Sequence, residues 1–260
     1  MEKPKVLIHK TMRQTGILLF WLLLWQMASM AIQNNILFVG PADVLTALFR
    51  QVGTSDFWKT LGFSLSRICL GFLSAFFIAI FLAALAYRFS FFKELFTPII
   101  LLAKSVPVAS FVILALIWMG SKNLSVFIAF VVVLPMIYAA TLSGLYSTDS
   151  KLLEMAHIFR LTFFKKVKLL YLPALIPYLK SSVNTALGMS IKSGVAAEVI
   201  GVPDFSIGEK LYTAKIYLST ADLFAWTLVI ILVSWLFEKL FLRLIELINP
   251  VKSSSGEVTS

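Results

Sequence analysis

Residues 154–173 read EMAHIFRLTFFKKVKLLYLP: an acidic opening at Glu154, three lysines at Lys165, Lys166 and Lys168, and a closing Leu172-Pro173. Leu152, Met155, Phe159 and Phe163 recur at helical spacing and make one apolar stripe. Glu154 follows Lys151 by three residues, a favourable pair on a helix surface. Phe163, Val167 and Leu170 make a second stripe facing away from the lysines. Two short amphipathic helices joined near Arg160 account for both stripes. Long apolar runs flank the stretch on either side, and they decide the class of fold.

Of the 260 residues, 59% are hydrophobic and 14% charged, with a mean hydropathy of +0.90. Soluble domains carry about a quarter charged residues. A soluble globule of this composition would lack the polar side chains to cover its surface, so the bilayer is the solvent. Helices are the expected spanning elements, because their backbone polar groups are satisfied internally. Runs of about 20 apolar residues fall at 16–32, 61–87, 95–119, 124–145, 179–202 and 223–245. They predict an all-α polytopic membrane protein with six transmembrane helices. Pro98, Lys104 and Pro107 interrupt the third run, so its regular part begins near Ser105. Residues 1–15 then form an N-terminal segment, 16–250 the transmembrane domain, and 251–260 a polar tail expected to be disordered. The first run follows Lys3, Lys5, Lys10 and Arg13, which also suits a cleaved signal peptide. An uncleaved first helix serves equally as anchor for the five that follow.

Basic residues orient the bundle, since cytoplasmic loops carry excess Lys and Arg. An even number of spans puts both termini on one side. That side collects the N-terminal cluster, Arg88, Lys93, the lysines around Arg160, Lys180, Lys239, Arg243 and Lys252. The other keeps Arg50, Lys59, Lys122, Lys210 and Lys215, offset by Asp43, Asp56, Asp204, Glu209 and Asp222. The three-to-one bias makes both termini cytoplasmic. Topology and anionic lipid thus account for the net charge of +10, and no continuous basic face suggests a nucleic-acid partner.

Glu154-Met155-Ala156, followed at matching distances by Leu170, Leu172 and Pro173, resembles the EAA loop of binding-protein-dependent ABC importer permeases. Here that loop covers 149–178. The family pattern is Glu-Ala-Ala, three residues, Gly, nine residues, Ile, one residue, Leu-Pro. Met155 replaces the middle Ala, a mild change, and Arg160 replaces the Gly. A left-handed turn suits Gly at that point and costs another residue about 1 kcal/mol or more. Either the bend is made differently, or Arg160 carries a contact of its own. The likeness extends from about Leu37 to Leu240 and is similar to the sulfonate/nitrate/taurine-type permeases. It includes Ser64-Leu65, Arg67 and Gly71-Phe72; Pro107 with Ile117-Trp118-Met119-Gly120; Pro177-Tyr178; and Val195-Ala196-Ala197-Glu198.

The resemblance implies the type I permease fold in a bacterial plasma (inner) membrane. It implies a homodimer of this chain, cytoplasmic ATPase subunits below, and an extracytoplasmic substrate-binding protein. Glu154, Met155, Ala156, His157, Phe159, Arg160, Leu172 and Pro173 would form the ATPase-coupling element. ATP would be bound by the partner subunit, leaving this chain without cofactor, metal or catalytic residue. Gly201 to Lys210 superficially resembles a phosphate-binding loop, but the Gly-Lys-Ser/Thr order is absent. An outer turn built on Gly201, Pro203 and Gly208 explains it better. Interfacial helices resting on anionic headgroups remain the plainer reading of 154–173.

Four charges fall within predicted spans: Arg67, Lys104, Lys192 and Glu198. Each costs about 2.5–3.5 kcal/mol at the centre of a lipid-facing helix, so each faces protein or water. Arg67, about 9 Å inside its span at 1.5 Å per residue, can snorkel outward. Lys192 lies among Gly188, Ser190, Ser193, Gly194, Ala196 and Ala197, small enough for close packing or a pore lining. Lys104, Lys192, Ser193 and Glu198 are therefore candidate pathway residues for an anionic or strongly polar solute. Neutralisation of Lys192 by another helix is the competing account. Residues 204–220 place Ile207, Leu211, Ala214 and Leu218 at helical spacing, either a docking helix at the pore mouth or a connector. A secondary transporter or channel is the competing function. Such proteins usually show repeats and paired broken helices, and only the third run is broken here.

Overall fold

The computed structural model describes residues 3–34 and 36–248, with side chains for 12–34 and 36–244. Every regular element among them is helical: α1 (Lys3–Ile32), α2 (Pro41–Val52), α3 (Ser55–Arg88), α4 (Ser90–Ser105), α5 (Val108–Tyr146), α6 (Ser150–Ile158), α7 (Phe163–Lys166), α8 (Leu172–Gly201), α9 (Ile207–Ile216) and α10 (Thr220–Ile248). A single π turn, Val167–Tyr171, joins α7 to α8. The expected tail at 251–260 lies outside the described residues.

Among the described residues four helices are long and apolar enough to cross a membrane: Met12–Ile32, Ser55–Arg88, Val108–Tyr146 and Thr220–Leu244. The expected run 95–119 is not one helix. Its first part belongs to α4, which stops at Ser105; Val106 and Pro107 are extended, and a new helix begins at Val108. Pro107 forces this break, because proline disfavours the helical conformation of the residue before it. The run 179–202 falls on α8, which ends at Gly201, and Lys180, Lys192, Glu198 and the Ser, Thr and Asn residues lower its hydropathy.

α5 doubles back on itself. As a straight helix its 39 residues would run for nearly twice the roughly 30 Å hydrocarbon core at 1.5 Å per residue. Instead Gly120 takes φ 69° and ψ 175°, a backbone region open essentially to glycine alone. The rings of Phe111 and Phe127 consequently stack with centroids 5.6 Å apart, where a straight helix would separate them by about 24 Å. The arms 108–119 and 121–146 close on Val112, Ala115, Leu124 and Ile128, all essentially buried. This turn falls where the sequence separates its third and fourth runs.

The second arm of α5 lies between α3 and α8 at the centre of the bundle. Ala75, Ala79, Ala83 and Ala86 recur along α3 and are all buried, so α3 approaches α5 closely. The Ser182 hydroxyl donates to the Met136 carbonyl, and Gly144 sits against Leu175, so α8 runs antiparallel to that arm. Phe72, Val133, Ile137, Val183, Ala186 and Leu187 fill the space between the three helices.

The two ends of the bundle differ chemically. At one end the ring centroids of Tyr87 and Tyr146 are 5.2 Å apart and those of Tyr87 and Tyr171 are 5.9 Å apart, bringing α3, α5 and the π turn together. At the other, Asp222 accepts from Arg50 (2.9 Å), Gln51 (2.7 Å) and Ser219 (2.6 Å), while Lys210 pairs with Asp56 at 2.6 Å. Two short helices lie there. α9 agrees with the spacing read from Ile207 to Ala214, although Leu218 lies beyond it. α2 is additional, started by Pro41 in its first turn and anchored through Val44 and Ala47.

Candidate functional site: the loop between α5 and α8

Asp149 caps α6, its carboxylate accepting from the Lys151 N–H at 2.9 Å. Of the nine residues of α6 only Ala156 is buried, at 2% exposure. Leu152, Met155 and Ile158, with Phe159 just beyond, stand exposed at 45%, 51%, 75% and 71%. Glu154 and His157 are exposed beside them. A helix that turns its large apolar residues outward and buries only an alanine offers a contact surface.

The end of α6 answers the question raised by Arg160. Its φ is +48°, in the left-handed region. The Arg160 N–H donates to the His157 carbonyl and the Leu161 N–H to the Ala156 carbonyl, both at 3.0 Å. Those two bonds, running 5→2 and 6→1, define a Schellman cap with Arg160 in the position that glycine usually takes. The bend is thus made in the left-handed manner at the usual place. The non-glycine residue raises its free energy by about 1–2 kcal/mol.

The second half of the loop differs from two separate helices. α7 passes through the π turn directly into α8, so 163–201 is one helical rod. Leu172 donates to the carbonyl of Val167, five residues back. Pro173 supplies the reason: it has no N–H, and its ring clashes with the carbonyl four residues before it. The widened turn just ahead relieves that clash. Leu172-Pro173 therefore forms the root of a long core helix, with α6 hinged to it across the Arg160 turn.

The candidate pathway residues separate into two groups. Lys192 is exposed and makes no hydrogen bond or ion pair among the described residues, so none of their carboxylates neutralises it. It shares an open face of α8 with Ser181, Thr185 and Ala196. Lys104 is exposed at the end of α4. Ser193 and Glu198 face the packed interior instead. Ser193 is 5% exposed and its hydroxyl donates to the Met189 carbonyl at 2.7 Å. Glu198 is 0% exposed, and Oε2 accepts from Ser64 Oγ at 2.6 Å and from the Gly208 N–H at 3.4 Å. Its carboxylate joins α3, α8 and α9 and lines no open surface among the described residues.

Gly208 also departs from its expected place in a turn. It is the second residue of α9 and lies against the backbone of Glu198, where a Cβ would come within 2.2 Å of the Glu198 carbonyl carbon. Arg67 reaches Asp204, its Nη2 3.4 Å from that carbonyl oxygen, in the outward direction expected of a snorkelling side chain. Ser64 is the residue that sequence reasoning passed over. Its position in the Ser64-Leu65 pair carried the signal, but not its link to Glu198.

Fold and loop together define a class: a multi-pass helical membrane protein that presents a short amphipathic helix at the root of a core helix. Residues 75–253 match the family of binding-protein-dependent transport system inner membrane components, and the chain belongs to that family of transport permeases. It is 25% identical over 209 residues to a putative aliphatic sulfonates transport permease protein of Bacillus subtilis, covering 79% of this chain and 74% of that one. It is 24% identical over 220 residues to the taurine transport system permease protein of Escherichia coli, covering 82% and 80%. A probable ABC transporter permease of Haemophilus influenzae is 25% identical over 233 residues, covering 88% and 92%.

Proposed function

We propose that this chain forms, as a homodimer, the translocation pathway of an ATP-driven importer for a small polar, anionic solute of the sulfonate, nitrate or taurine kind, or for a vitamin precursor. α6 transmits the motion of a separate cytoplasmic ATPase, and an extracytoplasmic binding protein delivers the solute. The outward apolar face of α6, hinged by the Arg160 turn to the root of α8, is the observation that carries this reading. A docking element must be exposed, and it must be tied to a core helix if force is to reach the pathway. α6 satisfies both requirements.

Six crossings follow from α1, α3, α4 continued by the first arm of α5, the second arm of α5, α8 and α10. α8 carries its polar residues because neighbouring helices surround much of it. Both termini then share the lysine-rich, cytoplasmic end with α6. The sulfonate and taurine permeases among its relatives, and the free cation of Lys192 on the open face of α8, support an anionic solute.

Co-purification tests the coupling. The tagged chain in mild detergent should bring down an ATPase subunit, and Glu154→Lys should abolish that association together with accumulation. Accumulation that survives without any ATPase would show a secondary transporter or channel instead.

A further inference from the structure

A cavity of about 430 Å³ lies between the ends of α3 and α5 and the stretch from Phe163 to Leu175. Phe81, Ala84, Leu145 and Val167 make its walls largely apolar. Phe81, Ala84 and Phe163 are exposed, so the cavity opens on the surface of the chain. Tyr87 and Tyr171 bring phenol hydroxyls to this lining, and two further polar groups interrupt it. Arg88, the last residue of α3, stands exposed at the rim with its guanidinium 5.4 Å from the centroid of the Phe89 ring. Thr141 is 1% exposed, and its hydroxyl has no hydrogen-bond partner.

A buried hydroxyl without an acceptor is costly, and a ligand that brings one recovers the difference. An alkyl chain suits the walls but offers Thr141 nothing. A soluble anion suits Arg88, whose planar fork matches phosphate, but leaves the apolar walls bare. One class of molecule meets all three demands. We propose that this cavity binds an anionic glycerophospholipid, with one acyl chain between α3 and the π turn, its phosphate on Arg88 and an ester carbonyl accepting from Thr141. Lys165, Lys166 and Lys168 flank the wall residue Val167 in sequence and add to the attraction for anionic headgroups. The site needs this end of the bundle to lie at a leaflet and does not depend on the ATPase reading. One wall is the π turn, so the bound lipid would press on the root of the helix that α6 moves.

The full-length chain in mild detergent is titrated with palmitoyl-oleoyl phosphatidylglycerol, or with the phosphatidylcholine carrying the same chains, and retained lipid is counted by native mass spectrometry. One phosphatidylglycerol per chain is expected, bound about tenfold more tightly than phosphatidylcholine. Arg88→Gln should level the two lipids, Thr141→Val should weaken both, and Ala84→Phe should fill the cavity and remove one-to-one binding. Arg88 is exposed, so Arg88→Gln decides the matter even if the filled variant does not fold. Equal retention of both lipids by the unaltered chain overturns the proposal, as does unchanged phosphatidylglycerol binding in Arg88→Gln. Ala84→Cys, in a Cys69→Ser background, should lose maleimide reactivity when phosphatidylglycerol is added. If it is already unreactive in lipid-stripped protein, a second copy covers this face and the proposal falls.

Discussion

The Ser64 hydroxyl donates to the Glu198 carboxylate at 2.6 Å, and both residues are fully buried. Ser64 also accepts from the Ile207 N–H at 2.8 Å, so one hydroxyl ties α3 to α8 and to the start of α9. The first N–H groups of a helix carry partial positive charge and favour a nearby carboxylate. α9 is therefore held by its N-terminus on a carboxylate of α8. Glu198→Ala should release it, and amide exchange over Ile207–Ile216 should accelerate markedly while the centre of α5 stays protected. Ser64→Ala should give a smaller effect, about 1–3 kcal/mol, by leaving a buried carboxylate short of a donor. Equal exchange in α9 and α5 for both variants would show that the contact only fills space.

The Arg160 cap yields a change in the stabilising direction. Arg160→Gly removes the left-handed penalty of about 1–2 kcal/mol at a backbone that already suits glycine. The N–H bonds of residue 160 to the His157 carbonyl and of Leu161 to the Ala156 carbonyl remain, so exchange over Ser150–Ile158 should slow by several-fold. A faster exchange would mean that the arginine side chain supports the turn more than its backbone strains it. Gly208→Leu should act in the opposite sense, since even a Cβ there meets the backbone of Glu198. Overpacking costs about 1–3 kcal/mol, and α9 should lift from α8 before the bundle unfolds.

These two sites separate what the residues announce from what only packing reveals. Hydropathy runs marked the helical bundle, and helical spacing marked α6 and α9. The glycine missing at Arg160 pointed to the bend itself, because left-handed backbone leaves a residue-type signature. The fold-back of α5 had its own sign in Gly120 between two apolar runs. Contacts across the bundle left no such trace. Glu198 sits among small residues whether it faces a pathway or a neighbouring helix, and only the positions of Ser64 and Gly208 decide between them. The π turn was equally hidden, since it answers a clash between Pro173 and a backbone carbonyl. α2 escaped notice because twelve residues are too short for the apolar runs that mark spans.

α6 offers a test that leaves stability almost untouched. Met155 and Phe159 are exposed, and exposed substitutions usually change stability by no more than about 0.5 kcal/mol. Met155→Asp and Phe159→Asp should therefore leave the thermal midpoint of the purified chain in place while stripping the ATPase from it in a pull-down. Loss of fold in either variant would mean that the apolar face of α6 is used internally.

Lys192 and Lys104 are both exposed cations, but their settings differ. Lys104 lies in the last turn of α4, where a positive charge suits the helix dipole, worth about 0.3–1 kcal/mol. Lys192 lies within α8, away from either end, on a face shared with Ser181 and Thr185. Nothing in the helix itself calls for a charge there. If an anionic solute passes that face, the lost charged hydrogen bond is worth about 1.5–3 kcal/mol, or tenfold and more in uptake. Lys192→Met should lower uptake of a sulfonate by that factor, Lys192→Arg should retain most of it, and Lys104→Met should change it little. The measurement is initial-rate uptake of radiolabelled taurine and an alkanesulfonate into cells that make equal amounts of each variant. Undiminished transport of every anion by Lys192→Met would remove this residue from the pathway and leave the solute class resting on family likeness alone.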